Sequence, residues 1–256
     1  MEVRVLGAHN LESTQTHLVS LLVDGMLALD AGSLASGLSL DEQKAVSAIL
    51  LTHYHYDHVR DVPAIGLSTA YSPEPIELCA SQVVLEVLSE HLINGILYPD
   101  FRQWPPDSPA MRFRILLPHK FYQIRGYEVL SLPVNHKVPT VGYYVKDSHG
   151  KSLFYTGDTS KGLSQCWQTV SPNLLVIEVS GSNGLEEKMT ESGHLTPEGL
   201  RQELLEFRRI RGYLPDVLTI HFIPMQEEQV RTELAEVAKD LKANINMASR
   251  GMRLTV

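Results

Sequence analysis

A run of six residues, His53-Tyr54-His55-Tyr56-Asp57-His58, holds three imidazoles and one carboxylate. It follows the apolar residues 48–52, which predict a buried strand. If the extended backbone continues, His53, His55 and Asp57 share one face, while His58 begins a turn or helix and approaches from another side. Imidazole suits zinc, iron, nickel and copper, and carboxylate suits harder ions, so the mixed set predicts a divalent metal site of the hydrolytic kind.

The cluster could serve two neighbouring ions, with its first two histidines on one ion and its last two members on the other. Four groups do not complete two coordination spheres, so further ligands are expected downstream. Three candidates, His136, Asp158 and His221, each follow a strand-like run of residues. Loops at such strand ends carry function on α/β scaffolds, which makes these three the expected additional ligands.

In this order and spacing, the motifs resemble the ligand series of the metallo-β-lactamase superfamily over nearly the whole chain. The resemblance implies a four-layer αβ/βα sandwich with a dinuclear centre at one edge. Carried over by position, the first metal takes His53, His55 and His136, the second takes Asp57, His58 and His221, and Asp158 bridges the two. Two divalent ions are therefore expected, with Zn2+ as the default and Mn2+ or Fe as alternatives.

Length and composition favour one domain over residues 1–256. Hydrophobic residues make up 43% of the chain, which suffices for a large core, and no linker or internal repeat interrupts it. No apolar run approaches the roughly 20 residues of a membrane helix, and the first residues lack signal-peptide features. The two cysteines, Cys79 and Cys166, are too few for a disulfide framework and are predicted to be buried thiols. We expect a cytoplasmic protein with no membrane association.

The charge balance bears on partners. Net charge is −8, from 22 basic and 30 acidic residues, which repels polyanions at a distance. A small anionic substrate is therefore expected before a nucleic acid. Residues 94–110 mix aromatic side chains with prolines and predict an ordered loop. It could cover the cleft, form a homodimer contact or pack on its own domain, and the sequence leaves these alternatives open.

Hydrophobic periodicity predicts alternating strands and helices, which favours a layered α/β fold. Asp24-Gly25 predicts a hairpin turn, and Thr196-Pro197 predicts a helix start. Segment 181–191 is expected to be a polar loop. The predicted helices cover 41–48 (with Asp41 near its cap), 80–92, 163–170, 196–209 and 227–242. The predicted strands include 113–117, 121–124, 127–134, 141–145, 152–155, 174–179 and 217–221.

The ligands alone do not choose the reaction, because water activated by two ions could attack phosphorus, a carbonyl carbon or a lactone. Glu178 and His194 are the best discriminators. Glu178 ends an apolar strand, where an unpaired buried carboxylate would be costly, and His194 lies just before a helix start. A pair between them would hold His194 as a general acid for an alkoxide leaving group. The alternatives are that His194 only packs the helix start and that Glu178 forms a surface ion pair.

Two stretches sharpen the resemblance. Residues 29–33, Leu-Asp-Ala-Gly-Ser, together with Glu178 and the Gly-His-Leu-Thr-Pro of residues 193–197, resemble the class II cyclic-nucleotide phosphodiesterases. The Glu–His pair also resembles the ribonuclease Z branch, and both branches cut phosphodiesters. The resemblance implies a phosphodiester hydrolase acting on 3′,5′-cyclic nucleotides, with Asp57, Glu178 and His194 as catalytic residues. Tyr54 and Tyr56 depart from the pattern, which commonly has bulky aliphatic residues there.

Three other functions stay open. A tRNA 3′-processing endoribonuclease of the ribonuclease Z kind is less favoured, because the sequence shows no long basic Gly/Pro-rich insertion. In this chain, the arginines of residues 201–211 are interleaved with glutamates, which is typical of a solvated helix face. A thioester or lactone hydrolase would use the same dinuclear centre without His194. A non-catalytic metal-binding protein would keep the fold and lose the chemistry.

Overall fold

Short apolar strands pair into two sheets of seven strands each. The computed structural model describes residues 1–256. The strands are β1 (Glu2–Gly7), β2 (Ser20–Val23), β3 (Leu27–Leu29), β4 (Ala48–Leu50), β5 (Ile76–Ala80), β6 (Met111–Ile115), β7 (Phe121–Ile124), β8 (Tyr127–Pro133), β9 (Val141–Lys146), β10 (Ser152–Tyr155), β11 (Leu174–Glu178), β12 (Asp216–Ile220), β13 (Ile245–Met247) and β14 (Arg253–Thr255). The first sheet has the order β14-β1-β2-β3-β4-β5-β6, and the second has the order β13-β12-β11-β10-β9-β8-β7.

Helices cover the outer face of each sheet. They are α1 (Leu40–Ala45), α2 (Tyr56–Val59), α3 (Val62–Ser68), α4 (Gln82–His91), α5 (Ser164–Thr169), α6 (Glu186–Ser192), α7 (Pro197–Arg211) and α8 (Glu227–Leu241). Apolar residues of α3 and α4 form one buried cluster with the first sheet. Residues of α5, α7 and α8 join the second sheet and the space between the sheets in a larger cluster. The four-layer αβ/βα sandwich expected from the resemblance is confirmed.

The predicted hairpin turn is present between β2 and β3. Asp24 and Gly25 both adopt positive φ, at 46° and 73°, and form the centre of a tight turn in which Met26 N donates to Val23 O at 3.0 Å. The turn also connects the two sheets, because the Tyr127 hydroxyl donates to Asp24 Oδ2 at 2.6 Å. The turn residues therefore contribute to the packing of the sandwich as well as to the hairpin.

Helix α1 begins one residue before the predicted position and has a different cap. Ser39, not Asp41, is the N-cap, and it forms a capping box with Glu42. Asp41 instead lies in the first turn, where a negative charge is favourable. The expected polar loop at 181–191 contains most of α6. No residue of α6 is buried, so the sequence there carries no apolar stripe that would indicate a helix.

The aromatic segment 94–110 packs partly on its own domain. Phe101 is completely buried beside Gly66 of α3, and its ring contacts Trp104 in an edge-to-face arrangement. Ile96 and Leu97 remain largely exposed. Both cysteines are buried as free thiols, as predicted. None of the helices combines the length and apolar character that crossing a lipid bilayer demands.

The sheet directions explain why distant parts of the chain meet. Strands β10, β11 and β12 are mutually parallel, and β8 and β10 both run antiparallel to β9. The carboxyl ends of β8, β10, β11 and β12 therefore lie at one edge of the second sheet. The residues that follow β4 of the first sheet contact this edge, since Val141 N donates to Thr52 O at 3.1 Å. Functional side chains on all five strand ends can thus converge.

Candidate metal centre

The structure brings together all seven residues that were expected as metal ligands. They form two groups in which the potential ligand atoms lie within 4.8 Å of one another. The first group contains His53, His55, His136 and Asp158, and the second contains Asp57, His58, Asp158 and His221. Asp158 belongs to both groups, which is the arrangement that a bridging carboxylate requires.

Distances in the first group are short around one carboxylate oxygen. Asp158 Oδ2 lies 3.6 Å from His53 Nε2 and 3.7 Å from His136 Nε2. His136 Nε2 lies 3.2 Å from Nδ1 of His55. Ligands bonded at about 2.0–2.1 Å to a tetrahedral ion would be separated by about 3.3 Å, so these spacings fit a single small cation.

The second group has similar spacing and involves both oxygens of Asp158. His58 Nε2 lies 3.1 Å from Asp158 Oδ1, and His221 Nε2 lies 3.3 Å from Asp158 Oδ2. Asp57 Oδ2 completes the group at 3.2 Å from His221 Nε2 and 3.6 Å from His58 Nε2. Asp57 is the most open member, with a side chain 22% exposed.

Unsatisfied polar atoms indicate that these groups fit metal ions. His53 Nε2, His58 Nε2 and Asp158 Oδ1 are buried and have no hydrogen-bond partner. Burying polar atoms without partners is costly, and three of them converging on one place is a strong reason to expect bound cations. The mixture of imidazole and carboxylate donors is the set that divalent transition metals bind.

A buried carboxylate outside the clusters orients two of the histidines. Asp30 Oδ2 accepts a hydrogen bond from His58 Nδ1 at 2.7 Å. The same oxygen accepts from the Thr52 hydroxyl at 2.8 Å, and Thr52 Oγ1 lies 3.0 Å from His53 Nδ1. Because the hydroxyl donates to Asp30, it accepts from His53. Both imidazoles are thereby held with Nε2 facing the cluster, because a hydrogen bond at Nδ1 fixes the direction of a metal-binding histidine ring.

Glu178 acts in the same way on the opposite side of the site. Its Oε1 accepts from His194 Nδ1 at 2.7 Å, and its Oε2 accepts from the Ser180 hydroxyl at 2.9 Å. Ser180 Oγ lies 2.7 Å from His221 Nδ1, and because its hydroxyl donates to Glu178, it accepts a hydrogen bond from His221. Glu178 therefore orients His194 directly and His221 through a hydroxyl. It is 1% exposed, which rules out the alternative of a surface ion pair.

Backbone groups complete the support of Glu178 and His136. Amides of Thr159 and Leu195 donate to Glu178 at 3.0 and 3.2 Å. His136 Nδ1 donates to the carbonyl of Gly193 at 2.9 Å. Gly193 ends α6 with a φ of 85°, and a Cβ on it would lie 2.9 Å from His136 Nδ1. Only glycine fits this position without displacing the imidazole.

Burial and neighbouring charges set the protonation of the clusters. Burial lowers the pKa of His53 well below its usual value, and the charge of His58 adds to this. Burial also lowers the pKa of His55 and His136, so these rings are neutral and able to bind metal. Burial alone would raise the pKa of Asp158, but the adjacent His221 and His58 hold it well below its usual value.

His194 differs from the cluster histidines. Burial would lower its pKa, but the Glu178 carboxylate outweighs this effect and raises the pKa of His194 to about 9. Its ring stacks on His221 with centroids 5.1 Å apart and contacts His136 at 5.0 Å. The alternative that His194 merely packs a helix start therefore does not describe its surroundings.

Local backbone geometry differs from the simple extended prediction. Helix α2 begins at Tyr56 with His55 as its N-cap, so the backbone turns before Asp57. Two site residues adopt left-handed backbone conformations that are unfavourable for non-glycine residues, Asp30 at a φ of 55° and His221 at 72°. Such strain is typical of functional sites, where the surroundings hold a side chain in a required direction.

Sequence reasoning missed the supporting residues. Thr52, Ser180 and Gly193 were not selected as site residues, although each contacts a candidate ligand or its carboxylate anchor. The sequence indicates Asp30 and Gly193 only as members of the 29–33 and 193–197 motifs. The positions of two of the supporting residues in the chain are a usable signal. Thr52 directly precedes the histidine run, and Ser180 follows Glu178 by two residues.

The two clusters open into a cavity of about 490 Å³. Its lining includes His55, Asp57, Asp158, His194 and His221, together with residues from the loop before β2 and from α2. No residue of the aromatic segment 94–110 lines it. The segment therefore does not cover this cleft in the structure.

Comparison with known families agrees with this geometry. The sequence profile of the β-lactamase superfamily domain matches residues 21–222, which is most of the chain. The chain belongs to the metallo-β-lactamase superfamily. The resemblance to this superfamily is thereby confirmed, and the two His/Asp clusters could bind metal ions.

Solved structures share the superfamily fold over the whole chain. Unliganded yeast PDE1 superposes on 100% of this chain and 99% of its own, with a TM-score of 0.83 and 16% sequence identity. Human tRNase Z, short form, covers 100% and 99% with a TM-score of 0.70 and 18% identity. At these identities the likeness shows the fold.

One curated relative matches part of the chain. A ribonuclease Z from Pyrococcus abyssi is 26% identical over 111 residues, which is 43% of this chain and 34% of that protein. The match therefore spans about a third of the relative's length.

Replacing Gly193 by Ala should lower metal binding, because the new Cβ displaces His136. Gly212→Ala is the matched control. It also ends a helix with positive φ, at 78°, but its Cβ would have nothing within 4 Å. Both variants carry the backbone strain, so only Gly193→Ala should lose metal in addition to thermal stability. Equal metal content in the two variants, measured by elemental analysis, would contradict the steric role of Gly193.

Replacing Ser180 by Ala should weaken metal affinity by about 10–100-fold, since His221 loses the partner that orients it. Ser180→Thr keeps the hydroxyl and should retain most of the affinity. Ser152→Ala serves as a control. Ser152 is buried like Ser180, but it lies in β10 and hydrogen-bonds to Asn173. Competition with a chelator gives the affinities. The hydroxyl relay is wrong if Ser180→Ala binds metal as tightly as the Ser152 control.

Proposed function

We propose that this chain is a metal-dependent hydrolase that cleaves phosphodiesters, with a 3′,5′-cyclic nucleotide as its substrate. The Glu178–His194 pair carries this proposal. His194 lies within the same 4.8 Å group as Asp158 and His221, so its ring is next to the second cluster. Departure of an alkoxide requires a proton, and a positioned histidine is the usual donor.

The residues present fit two divalent ions, for which we propose zinc, with manganese or iron as alternatives. His53, His55 and His136 would hold the first ion, Asp57, His58 and His221 would hold the second, and Asp158 would bridge them. When bound, the ions would lower the pKa of a water and neutralise charge on the phosphoryl oxygens.

His194 supplies the proton. Glu178 occupies Nδ1 of His194, which leaves Nε2 as the nitrogen that can donate to the departing ribose oxygen. The carboxylate favours the protonated ring and fixes its direction, so little reorganisation is needed when the proton moves. Asp57, the most exposed member of the second cluster, lines the cavity, and we include it among the catalytic residues.

The alternative reactions would leave some of the site's residues without a role. A thioester or lactone hydrolase would use the clusters but has no need for a buried carboxylate that charges His194. The sequence similarity to a ribonuclease Z supports tRNA cleavage as the second candidate. Against it, the one arginine of the cavity lining, Arg60, is paired with Glu12 and Asp61. RNA binding draws heavily on cations that are free to contact phosphates.

The metal-loaded protein should hydrolyse cyclic AMP and bis-p-nitrophenyl phosphate and leave a precursor tRNA and a thioester intact. The assay compares the four substrates in parallel, with metal content determined on the same sample. Cleavage confined to the tRNA would support the ribonuclease Z alternative. Turnover of the thioester alone, or no turnover with full metal, would refute phosphodiester hydrolysis.

Replacing His194 by Ala should reduce phosphodiester turnover by about 10²–10⁴-fold, because the leaving oxygen loses its proton donor. Metal content should stay near that of the unaltered protein. His149→Ala is the control, since His149 lies in an exposed turn between β9 and β10. A rate for His194→Ala equal to that of the control would remove His194 from the mechanism.

A further inference from the structure

The cavity wall combines the metal clusters with apolar side chains that have no evident structural role. Tyr56 and Leu11 both line it, and they are 65% and 48% exposed. Leu18 adds a buried apolar surface to the same wall. Exposed apolar side chains gathered around a functional cavity indicate a binding surface more strongly than isolated ones elsewhere.

Tyr56 contrasts with the other tyrosine of the histidine motif. Tyr54 packs against the apolar cluster of the first sheet and contacts the His55 ring at 6.1 Å. Tyr56, two residues later, is the first residue of α2 and extends into the cavity opening. Because Tyr56 lines the same cavity as His55, Asp57 and His221, a group that stacks on its ring lies close to the metal clusters.

An ion pair fixes the two sides of this wall relative to each other. Arg60 lies one turn after Tyr56 in the chain and pairs with Glu12, the neighbour of Leu11. Arg60 Nε also pairs with Asp61 at 2.9 Å, and Asp61 accepts from the Ala35 amide at 2.8 Å. The loop that carries Leu11 and the helix that carries Tyr56 are therefore tied together around the cavity.

This pairing also determines the charge of the wall. Arg60 is the one arginine or lysine of the lining, and Glu12 and Asp61 neutralise it. Apart from the histidines, the cavity lining therefore offers no unpaired basic side chain that could bind a phosphate away from the metal clusters. This wall therefore suits an uncharged group beside Tyr56 and Leu11.

A polar group completes the wall. The side-chain oxygen of Asn10, next to Leu11, is buried and has no hydrogen-bond partner. It is the one such atom of the lining outside the metal clusters. An unpaired acceptor is costly to bury, and an N–H group on a ligand would satisfy it.

We propose that the base of a nucleotide stacks on the Tyr56 ring, against Leu11 and within reach of Asn10, while its phosphate lies at the metal clusters. A flat, uncharged group with N–H donors on its edge matches all three observations. This inference rests on the proposed phosphodiesterase function for its setting. Stacking of a base on an aromatic side chain increases affinity by about 5–150-fold.

Equilibrium binding tests the stacking independently of turnover. Zinc-loaded protein is titrated by calorimetry with adenosine 5′-monophosphate and with ribose 5-phosphate, which lacks the base. The unaltered protein and Tyr56→Phe should bind the nucleotide about 5–150-fold more tightly than the sugar phosphate. Tyr56→Ala should lose this preference and keep its affinity for ribose 5-phosphate.

Tyr71→Ala is the matched control, because Tyr71 is 85% exposed and lies outside the cavity lining. It should keep the full preference for the nucleotide. Metal content is measured for every variant, so a loss of metal is not mistaken for a loss of stacking. Equal affinity of the unaltered protein for the two ligands, or an unchanged preference in Tyr56→Ala, would overturn the proposal. Failure to hydrolyse cyclic AMP would count against the proposed reaction and not against the stacking.

Discussion

Two buried carboxylates, Asp30 and Glu178, determine the geometry on which the candidate site depends. Each accepts directly from one imidazole and reaches a second imidazole through a hydroxyl, supplied by Thr52 for Asp30 and by Ser180 for Glu178. A charge so deeply buried is tolerated only when several donors surround it. The requirement to satisfy these carboxylates therefore also holds the imidazoles in the direction that the clusters need.

The two carboxylates orient different kinds of residue. Asp30 orients only candidate metal ligands, whereas Glu178 also orients the proposed proton donor. Asp30 serves two candidate ligands, His58 directly and His53 through Thr52. Glu178 serves one ligand, His221, and one residue outside the two principal clusters, His194. The same support thus couples the second cluster to the proposed proton donor. Changes at Glu178 act on both, whereas changes at His194 act on the proton donor alone.

The hydrogen bonds around the site also account for its strained backbone, and the cavity wall bears on the proposed substrate. Positive φ at Asp30 and His221 is maintained because strong hydrogen bonds hold each side chain. Outside the clusters, a neutralised arginine and exposed apolar groups form the rest of the cavity wall. This arrangement supports the proposal that the substrate is a compact molecule with one phosphodiester and not an extended polyanion.

The sequence by itself determined the layered α/β class, the superfamily, most strand positions and the seven candidate ligands. The fold class and the strands depend on local periodicity, and four ligands lie in one dense histidine and aspartate motif. The other three ligands are recognised by their positions after strand-like runs and by the order of the motifs along the chain. It did not reveal α6, which has no buried face, or the Ser39 cap of α1. Only the tertiary structure showed that Thr52, Ser180 and Gly193 support the site. Their contacts with Asp30, His221 and His136 join residues 22 to 57 positions apart, and no local sequence pattern encodes such pairings.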